Sequence, residues 1–210
     1  MSQTIELGDN KKTAQFLIEN ETAESMAIDL SVLTRSMDRD GKEDLIKATE
    51  LSVYPPQMII PAKEKRTIRV TYKGDQNISI EKSFRVVAEQ LPLSVDAKAK
   101  KKSGIQMLMR YMAALYVTPK DSKADLKASV LKSSSTKLSL SISNNGNRHI
   151  ILLKPVITIS QGKKTWNYKG DALKILDGEN VLAKSSRTFE IITKEQIPAD
   201  SKVSLKVDEN

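Results

Sequence analysis

The sequence of 210 residues contains no cysteine and a single histidine, His149. Without cysteine there is no disulfide framework, no thiolate metal site and no cysteine nucleophile. One histidine argues against Ser-His triads and zinc hydrolases, and neither a phosphate-binding glycine loop nor a Gly-x-Ser-x-Gly elbow is found. The sequence therefore predicts a protein that is not an enzyme and that holds no metal or other cofactor.

Aromatic residues and long apolar runs are also scarce. Three Phe, five Tyr and one Trp are few for stacking on single-stranded nucleic acid, despite a net charge of +8. No apolar run approaches the roughly 20 residues that cross a bilayer, and no signal-peptide pattern is found. We therefore expect no nucleic-acid partner and no membrane insertion, and an exported protein would have lost its leader already.

The densest basic run lies within residues 96–104 and contains Lys98, Lys100, Lys101 and Lys102. Runs of like charge are usually solvated loops, and this is the interpretation that we favour. An electrostatic contact with a partner is the alternative.

Short segments of alternating apolar and polar residues recur between turn signals, which is typical of an all-β sandwich. A period of two places the apolar residues of each segment on one face of a strand, against a core. The clearest apolar sets are Met26, Ile28, Leu30 and Val32; Ile68, Val70 and Tyr72; Phe84, Val86 and Ala88; Leu138, Leu140 and Ile142; and Val203, Leu205 and Val207. Polar residues around Pro119 separate two apolar stretches. The sequence predicts two immunoglobulin-sized domains, residues 1–118 and 119–210.

Turn residues mark the ends of several predicted strands. Residues 38–41 (Asp-Arg-Asp-Gly) and 144–147 (Asn-Asn-Gly-Asn) each predict a hairpin, and Asn-Gly suits a positive φ. Prolines bracket residues 57–60, which predicts an edge or crossing segment because proline cannot donate to a ladder.

Residues 105–117 fit two patterns. The segment is rich in helix formers, and Ile105, Leu108, Met109, Met112 and Tyr116 fall at helical spacing, so the residues alone favour a helix. In the alternative, a strand, the odd-numbered residues from Ile105 to Val117 share one face.

Two longer runs, residues 53–70 and 81–92, resemble the middle of a periplasmic pilus (fimbrial) chaperone of the chaperone–usher family. They contain, in the family's order, a proline-flanked apolar strand, a basic strand with Arg69-Val70, and a strand that starts after Glu81 and ends in Leu91-Pro92. Residues 115–119 resemble the end of the family's first domain. Residues 143–149 resemble the asparagine-glycine turn of its archaic branch.

The resemblance implies two immunoglobulin-like domains set at an angle, like a boomerang, in a protein of the periplasm. Family members bind pilus subunits and deliver them to an outer-membrane usher. Each subunit lacks its last strand, and the chaperone lends it one by donor-strand complementation, a form of β-augmentation. The resemblance places this strand at residues 105–117 and so reverses the preference for a helix. Free chaperones that protect an exposed donor strand can form self-capped homodimers, which we also expect here.

The resemblance also implies site residues. The bulky donor positions fall on Ile105, Met107 and Met109, with Tyr111 next on the same face. Family members anchor the subunit carboxylate with a donor-strand lysine and a first-strand arginine. Ala114 stands at the lysine position and the arginine would lie at or before Met1, so we expect Arg110 to substitute.

An ionic cluster between the domains is the second site that the resemblance implies. Its members by position are Arg69, Glu81 and Asp200. Such a cluster would fix orientation more than it would add stability.

Two other functions are compatible with the composition. One is a basic β-sandwich that binds anionic polymers through the lysine-rich run, and the other is a structural module of a surface assembly.

Overall fold

The computed structural model describes residues 1–8, 12–92 and 107–208. In this part of the chain the only helical element is a short 3-10 turn at Gly170–Leu173, and the rest of the regular structure is strand. No described helix is long and apolar enough to cross a membrane. The all-β prediction is confirmed.

Seventeen strands are found within the described residues, nine of them before residue 120. These nine are β1 (Ser2–Leu7), β2 (Thr13–Glu19), β3 (Met26–Met37), β4 (Glu43–Lys47), β5 (Leu51–Tyr54), β6 (Gln57–Ile60), β7 (Lys65–Tyr72), β8 (Lys82–Leu91) and β9 (Arg110–Pro119). The other eight are β10 (Leu126–Ser133), β11 (Lys137–Asn144), β12 (Ile150–Ile151), β13 (Val156–Gln161), β14 (Lys164–Lys169), β15 (Asn180–Val181), β16 (Ser185–Ile192) and β17 (Lys202–Lys206).

The chain forms two compact units. The first comprises Met1–Arg35, Leu45–Ile78 and Lys82–Lys120, and the second comprises Ser36–Asp44, Ser79–Glu81 and Asp121–Asn210. The main division along the chain thus falls between residues 120 and 121, close to the position at which the composition changes around Pro119.

The first unit is a sandwich of two sheets. One sheet has the order β1-β9-β8-β3-β4, with β6 paired to β3, and the other has the order β2-β7-β5. The three alternating apolar sets predicted before residue 90 are all buried in one core. Among the described strands β6 pairs with β3 alone, as expected for a segment bracketed by prolines.

The segment around β9 is a strand and not a helix over Arg110–Pro119. Its inner residues Leu115 and Val117 are fully buried in the core of the first unit. Pairing with two neighbouring strands and burial of these residues outweigh the local preference of leucine, methionine and alanine for a helix. Residues 107–109 precede the strand, and Ile105 and the lysine-rich run lie outside the described residues.

The second unit contains the three-stranded sheets β10-β11-β16 and β14-β13-β17 and the short pair β12-β15. Its core takes the predicted set from β11 (Leu138, Leu140 and Ile142) together with Ile157, Ile159 and Phe189. The set from residues 203–207 is partly buried against the same core.

The turn prediction holds at residues 38–41 and is wrong at residues 144–147. At 38–41 the turn joins β3 to the adjacent β4, and Gly41 has a φ of 90°. After Asn144, however, β11 is followed by β12, which pairs with β15 and not with β11.

Close approach, not a positive φ, explains the Asn-Gly sequence at residues 144–147. A Cβ on Gly146 would lie 2.3 Å from the carbonyl oxygen of Lys123. The buried Asn144 side chain accepts from the N–H groups of Gly146 and Asp125, each at 3.0 Å. The segment therefore packs onto a neighbouring stretch of backbone, a role that short-range turn signals do not reveal.

Candidate functional site

Strand β9 is covered on one side over only part of its length. On its other side it pairs with β8 antiparallel, from Val117 opposite Lys82 to Arg110 opposite Glu89. On the first side it pairs with β1 in parallel, and this pairing begins at Ser2 opposite Ala114. Among the described strands none pairs with residues 110–113 on the β1 side. We call this stretch the open edge.

The register of the hydrogen bonds fixes the direction of the backbone groups along β9. The N–H of Gln90 donates to the carbonyl of Met109 at 2.8 Å, so these two residues form a hydrogen-bonded pair of the antiparallel ladder. The N–H of Ala114 instead donates to the carbonyl of Met1 at 3.2 Å, toward β1. Since bonding alternates along a strand, odd-numbered residues bond toward β8 and even-numbered residues bond toward β1.

Two residues of the open edge therefore direct their backbone polar groups away from β8. These are Arg110 and Met112, which precede Ala114 and have no described strand beside them on the β1 side. Such a row of main-chain donors and acceptors is a template for pairing with a strand of another chain.

The side chains before and along the open edge are apolar and exposed. The exposed fractions are 77% for Met107, 51% for Leu108, 44% for Met109, 52% for Tyr111 and 50% for Met112. Five consecutive or near-consecutive exposed apolar residues form a patch of the kind that marks an interaction site. Of the predicted donor residues, Met107, Met109 and Tyr111 thus lie at the surface.

An apolar groove of about 660 Å³ lies beside the open edge, within the first unit. Residues of β2, among them Phe16, Leu17 and Ile18, form the wall opposite Tyr111 and Met112. The buried core residues Ile68, Val86 and Ala88 also line it, so the groove reaches the core.

Sequence analysis did not identify the β2 wall or Met112 as part of the site. Leu17 is 49% exposed although its neighbour Phe16 is buried, and this alternation over residues 13–19 was a signal that could have placed β2 at a surface. Only the pairing of β2 with β7, however, brings the strand to the groove.

The two positions considered for the carboxylate anchor lie on β9. Ala114 is buried and stands between Ser2 of β1 and Arg85 of β8. Arg110 is exposed, and its Nε lies 3.9 Å from Oε2 of Glu89 on β8. The guanidinium therefore has a carboxylate beside it already.

The residues predicted for an ionic cluster have separate surroundings in the two units. Arg69 is an exposed residue of β7 in the first unit. In the second unit Glu81 is buried, and its Oε1 lies 2.7 Å from Nδ1 of His149. Asp200 is exposed and accepts from Nε2 of Gln161 at 3.1 Å. His149 is a partner of Glu81 that sequence analysis did not assign.

Comparison with known proteins identifies the family. Residues 2–123 match the family model of the N-terminal domain of PapD, described as pili and flagellar-assembly chaperone. A CS1 fimbrial protein of Escherichia coli, described as one of the subunits, is 31% identical over 140 residues, which are 65% of this chain and 55% of that protein. The chain therefore spans about half the length of this curated relative.

Solved structures of similar fold include two fimbrial chaperones. The class 5 fimbriae chaperone CfaA superposes with a TM-score of 0.63 at 16% identity, over 99% of this chain and 97% of that chain. The CsuC–CsuE chaperone–tip adhesion subunit complex of the archaic Csu pili of Acinetobacter baumannii gives a TM-score of 0.60 at 20% identity, over 90% of this chain and 86% of that chain. These likenesses establish the two-domain immunoglobulin-like fold.

The family model covers more than half of the chain, and the fold agrees with it. The chain therefore belongs to the family of pili and flagellar-assembly chaperones, and the predicted family is confirmed.

Proposed function

We propose that this protein binds pilus subunits by lending them β9, whose open edge completes the subunit's own immunoglobulin-like fold. The observation that carries the proposal is the open edge itself, at which Arg110 and Met112 direct backbone groups away from β8. A subunit that lacks a strand offers the complementary surface, which is unpaired backbone around an apolar groove.

The energetics favour an extended apolar partner. Backbone hydrogen bonds contribute about 0.5–1.5 kcal/mol each and do not depend on the partner's sequence. Burial of a methionine side chain contributes about 1.5–3 kcal/mol, so Met107, Met109 and Met112 together can dominate the contact. Methionine is flexible, and one donor strand can thus adapt to several related subunits.

Similar proteins support pilus subunits as the partner, since CsuC is described in a pre-assembly complex with a tip adhesion subunit. Release of the subunit to an outer-membrane usher and a location in the periplasm belong to the same proposal. They rest on the family to which the chain belongs.

Co-expression with the pilin-like proteins encoded beside its gene tests the proposal. We expect a one-to-one complex that survives gel filtration. The double variant Met107→Arg, Met109→Arg should abolish the complex, because two charged side chains would have to be buried in the subunit's groove.

The matched control is the double variant Ile175→Arg, Ile192→Arg. These residues are 57% and 81% exposed in the second unit, and the control adds the same charge away from the open edge. It should bind the subunit as the unmodified protein does. Normal binding by the Met107, Met109 variant would show that β9 is not the donor.

A further inference from the structure

The outer face of the β14-β13-β17 sheet in the second unit carries only positive charge. The alternation of buried and exposed residues places nine side chains on this face, in three rows across the strands. The rows are Lys169, Val156 and Lys206; Asn167, Thr158 and Ser204; and Thr165, Ser160 and Lys202. Three lysines, five hydroxyl or amide side chains and one valine make up the face, and no carboxylate lies on it.

The three lysines are exposed and lack a carboxylate partner within residues 1–8, 12–92 and 107–208. The nearest acidic residues along β17, Asp200 and Asp208, lie beyond its two ends. Asp200 accepts a hydrogen bond from Gln161, and Asp208 pairs with Lys154 at 3.2 Å. The ammonium groups of the face are therefore available to an external anion.

The other large sheet of the same unit differs. On the outer face of the β10-β11-β16 sheet, Glu190 stands opposite Ser139 and its Oε2 lies 3.4 Å from Nζ of Lys137. Positive and negative charges are mixed there, as on an ordinary solvated surface. The sign of charge on the β14-β13-β17 face is thus a property of that sheet and not of the whole unit.

The spacing of the lysines suits a surface better than a thread-like polymer. Lys169 and Lys206 lie on the strands that flank β13, roughly 10 Å apart, and Lys202 lies roughly 13 Å from Lys206 along β17. The three positions form a triangle, whereas a linear polyanion is recognised by a positive groove or stripe. Val156, 38% exposed between Lys169 and Lys206, adds apolar contact at the centre of one row.

We propose that this face binds the headgroups of an anionic lipid surface, with Lys169, Lys202 and Lys206 as the main contacts. The hydroxyl and amide groups of the other rows would hydrogen-bond phosphate and glycerol oxygens. This binding is separate from the open edge of the first unit and does not depend on the function proposed for it.

Sedimentation with vesicles tests this proposal on the whole protein. Vesicles of three parts phosphatidylcholine and one part phosphatidylglycerol should bind the protein at low ionic strength, and vesicles of phosphatidylcholine alone should not. The triple variant Lys169→Glu, Lys202→Glu, Lys206→Glu should lower the partition coefficient about 100-fold, since each lysine near an anionic surface is worth about fivefold. Added salt should weaken the binding of the unmodified protein.

The matched control carries the same change of net charge at three exposed lysines off this face, as Lys127→Glu, Lys132→Glu, Lys174→Glu. Its partition coefficient should fall less than about tenfold. An equal loss in both variants, or equal binding to both kinds of vesicle, would overturn the proposal. Tight binding of heparin that the first triple variant loses would assign the face to a polymer instead. Both variants should retain the pilus subunit, which keeps this test distinct from that of the open edge.

Discussion

Trp166 is the only tryptophan of the protein, and its indole N–H donates to Oε1 of Glu195 at 2.8 Å. Nζ of Lys164 lies 2.8 Å from the other carboxylate oxygen and 5.5 Å from the centre of the indole ring. The hydrogen bond from Lys164, followed by that from Trp166, lowers the pKa of Glu195 below its ordinary value. A fluorophore thus reports directly on one carboxylate.

The lowered pKa of Glu195 gives a prediction for acid pH. Stabilisation by the ionised carboxylate is present above the ordinary pKa of glutamate and is lost as pH falls through the lower pKa of the folded state. We expect the fluorescence of Trp166 to change as Glu195 is protonated, with a midpoint below the ordinary glutamate value. An acid titration of intrinsic fluorescence on the folded protein measures it.

Glu195→Gln should remove this transition, and Glu190→Gln should leave it in place. Glu190 is an exposed glutamate of the same unit that pairs with a different lysine, Lys137. A transition that persists in Glu195→Gln would show that another group controls the fluorescence.

At the scale of the element, β9 has two ladders with different partners. Its odd-numbered residues hold it to β8, and its even-numbered residues bond to β1 only from Ala114 onward. The half that is proposed to engage a subunit is therefore fixed to the first unit by one ladder alone. This arrangement lets the strand keep its conformation while its other side remains open.

Met112→Pro separates the two ladders. Proline removes the N–H of residue 112, which points to the open edge, and leaves the bonds toward β8 in place because those come from odd-numbered residues. We expect loss of at least tenfold in subunit affinity, measured by titration calorimetry, because one hydrogen bond to the incoming strand is lost and a proline ring occupies its place.

Met112→Ala, which keeps the N–H, and Ala113→Pro are the controls. Met112→Ala should lose less affinity than Met112→Pro. Ala113→Pro removes a bond toward β8 and should lower the melting temperature of the protein, which Met112→Pro should change little. Unchanged affinity in Met112→Pro would argue that the subunit does not pair with the main chain of β9.

At the scale of the whole molecule, an exposed apolar segment coexists with a net charge of +8. The apolar side chains of residues 107–112 favour burial against another copy, whereas like charges repel the two copies. Salt screens this repulsion and leaves the apolar attraction in place.

We therefore expect the protein without a subunit to self-associate through the open edge, and to do so more strongly as salt is added. Sedimentation velocity at several protein and salt concentrations measures this. The double variant Met107→Arg, Met109→Arg should remain monomeric, and a bound pilus subunit should dissociate the assembly. Self-association that weakens with salt, or that persists in the variant, would place the contact elsewhere.

Patterns of local sequence determined much of the fold. The alternation in β3, β7, β8 and β11 depends only on the period of a strand, and these residues are buried as predicted. The family could be inferred from the order of segments such as residues 53–70 and 81–92, since each records a strand with its flanking turns.

The tertiary structure alone decided the nature of β9, the Asn144 turn and the open edge. Local propensity favoured a helix at residues 105–117, but pairing of β9 with β8 and β1 joins segments far apart in the chain, and no local pattern encodes such pairs. Likewise the open edge exists because β1 begins opposite Ala114, and the rows of lysines exist because β13 lies between β14 and β17. A sequence determines which face of a strand is apolar, whereas which strand lies beside it depends on the folded chain as a whole.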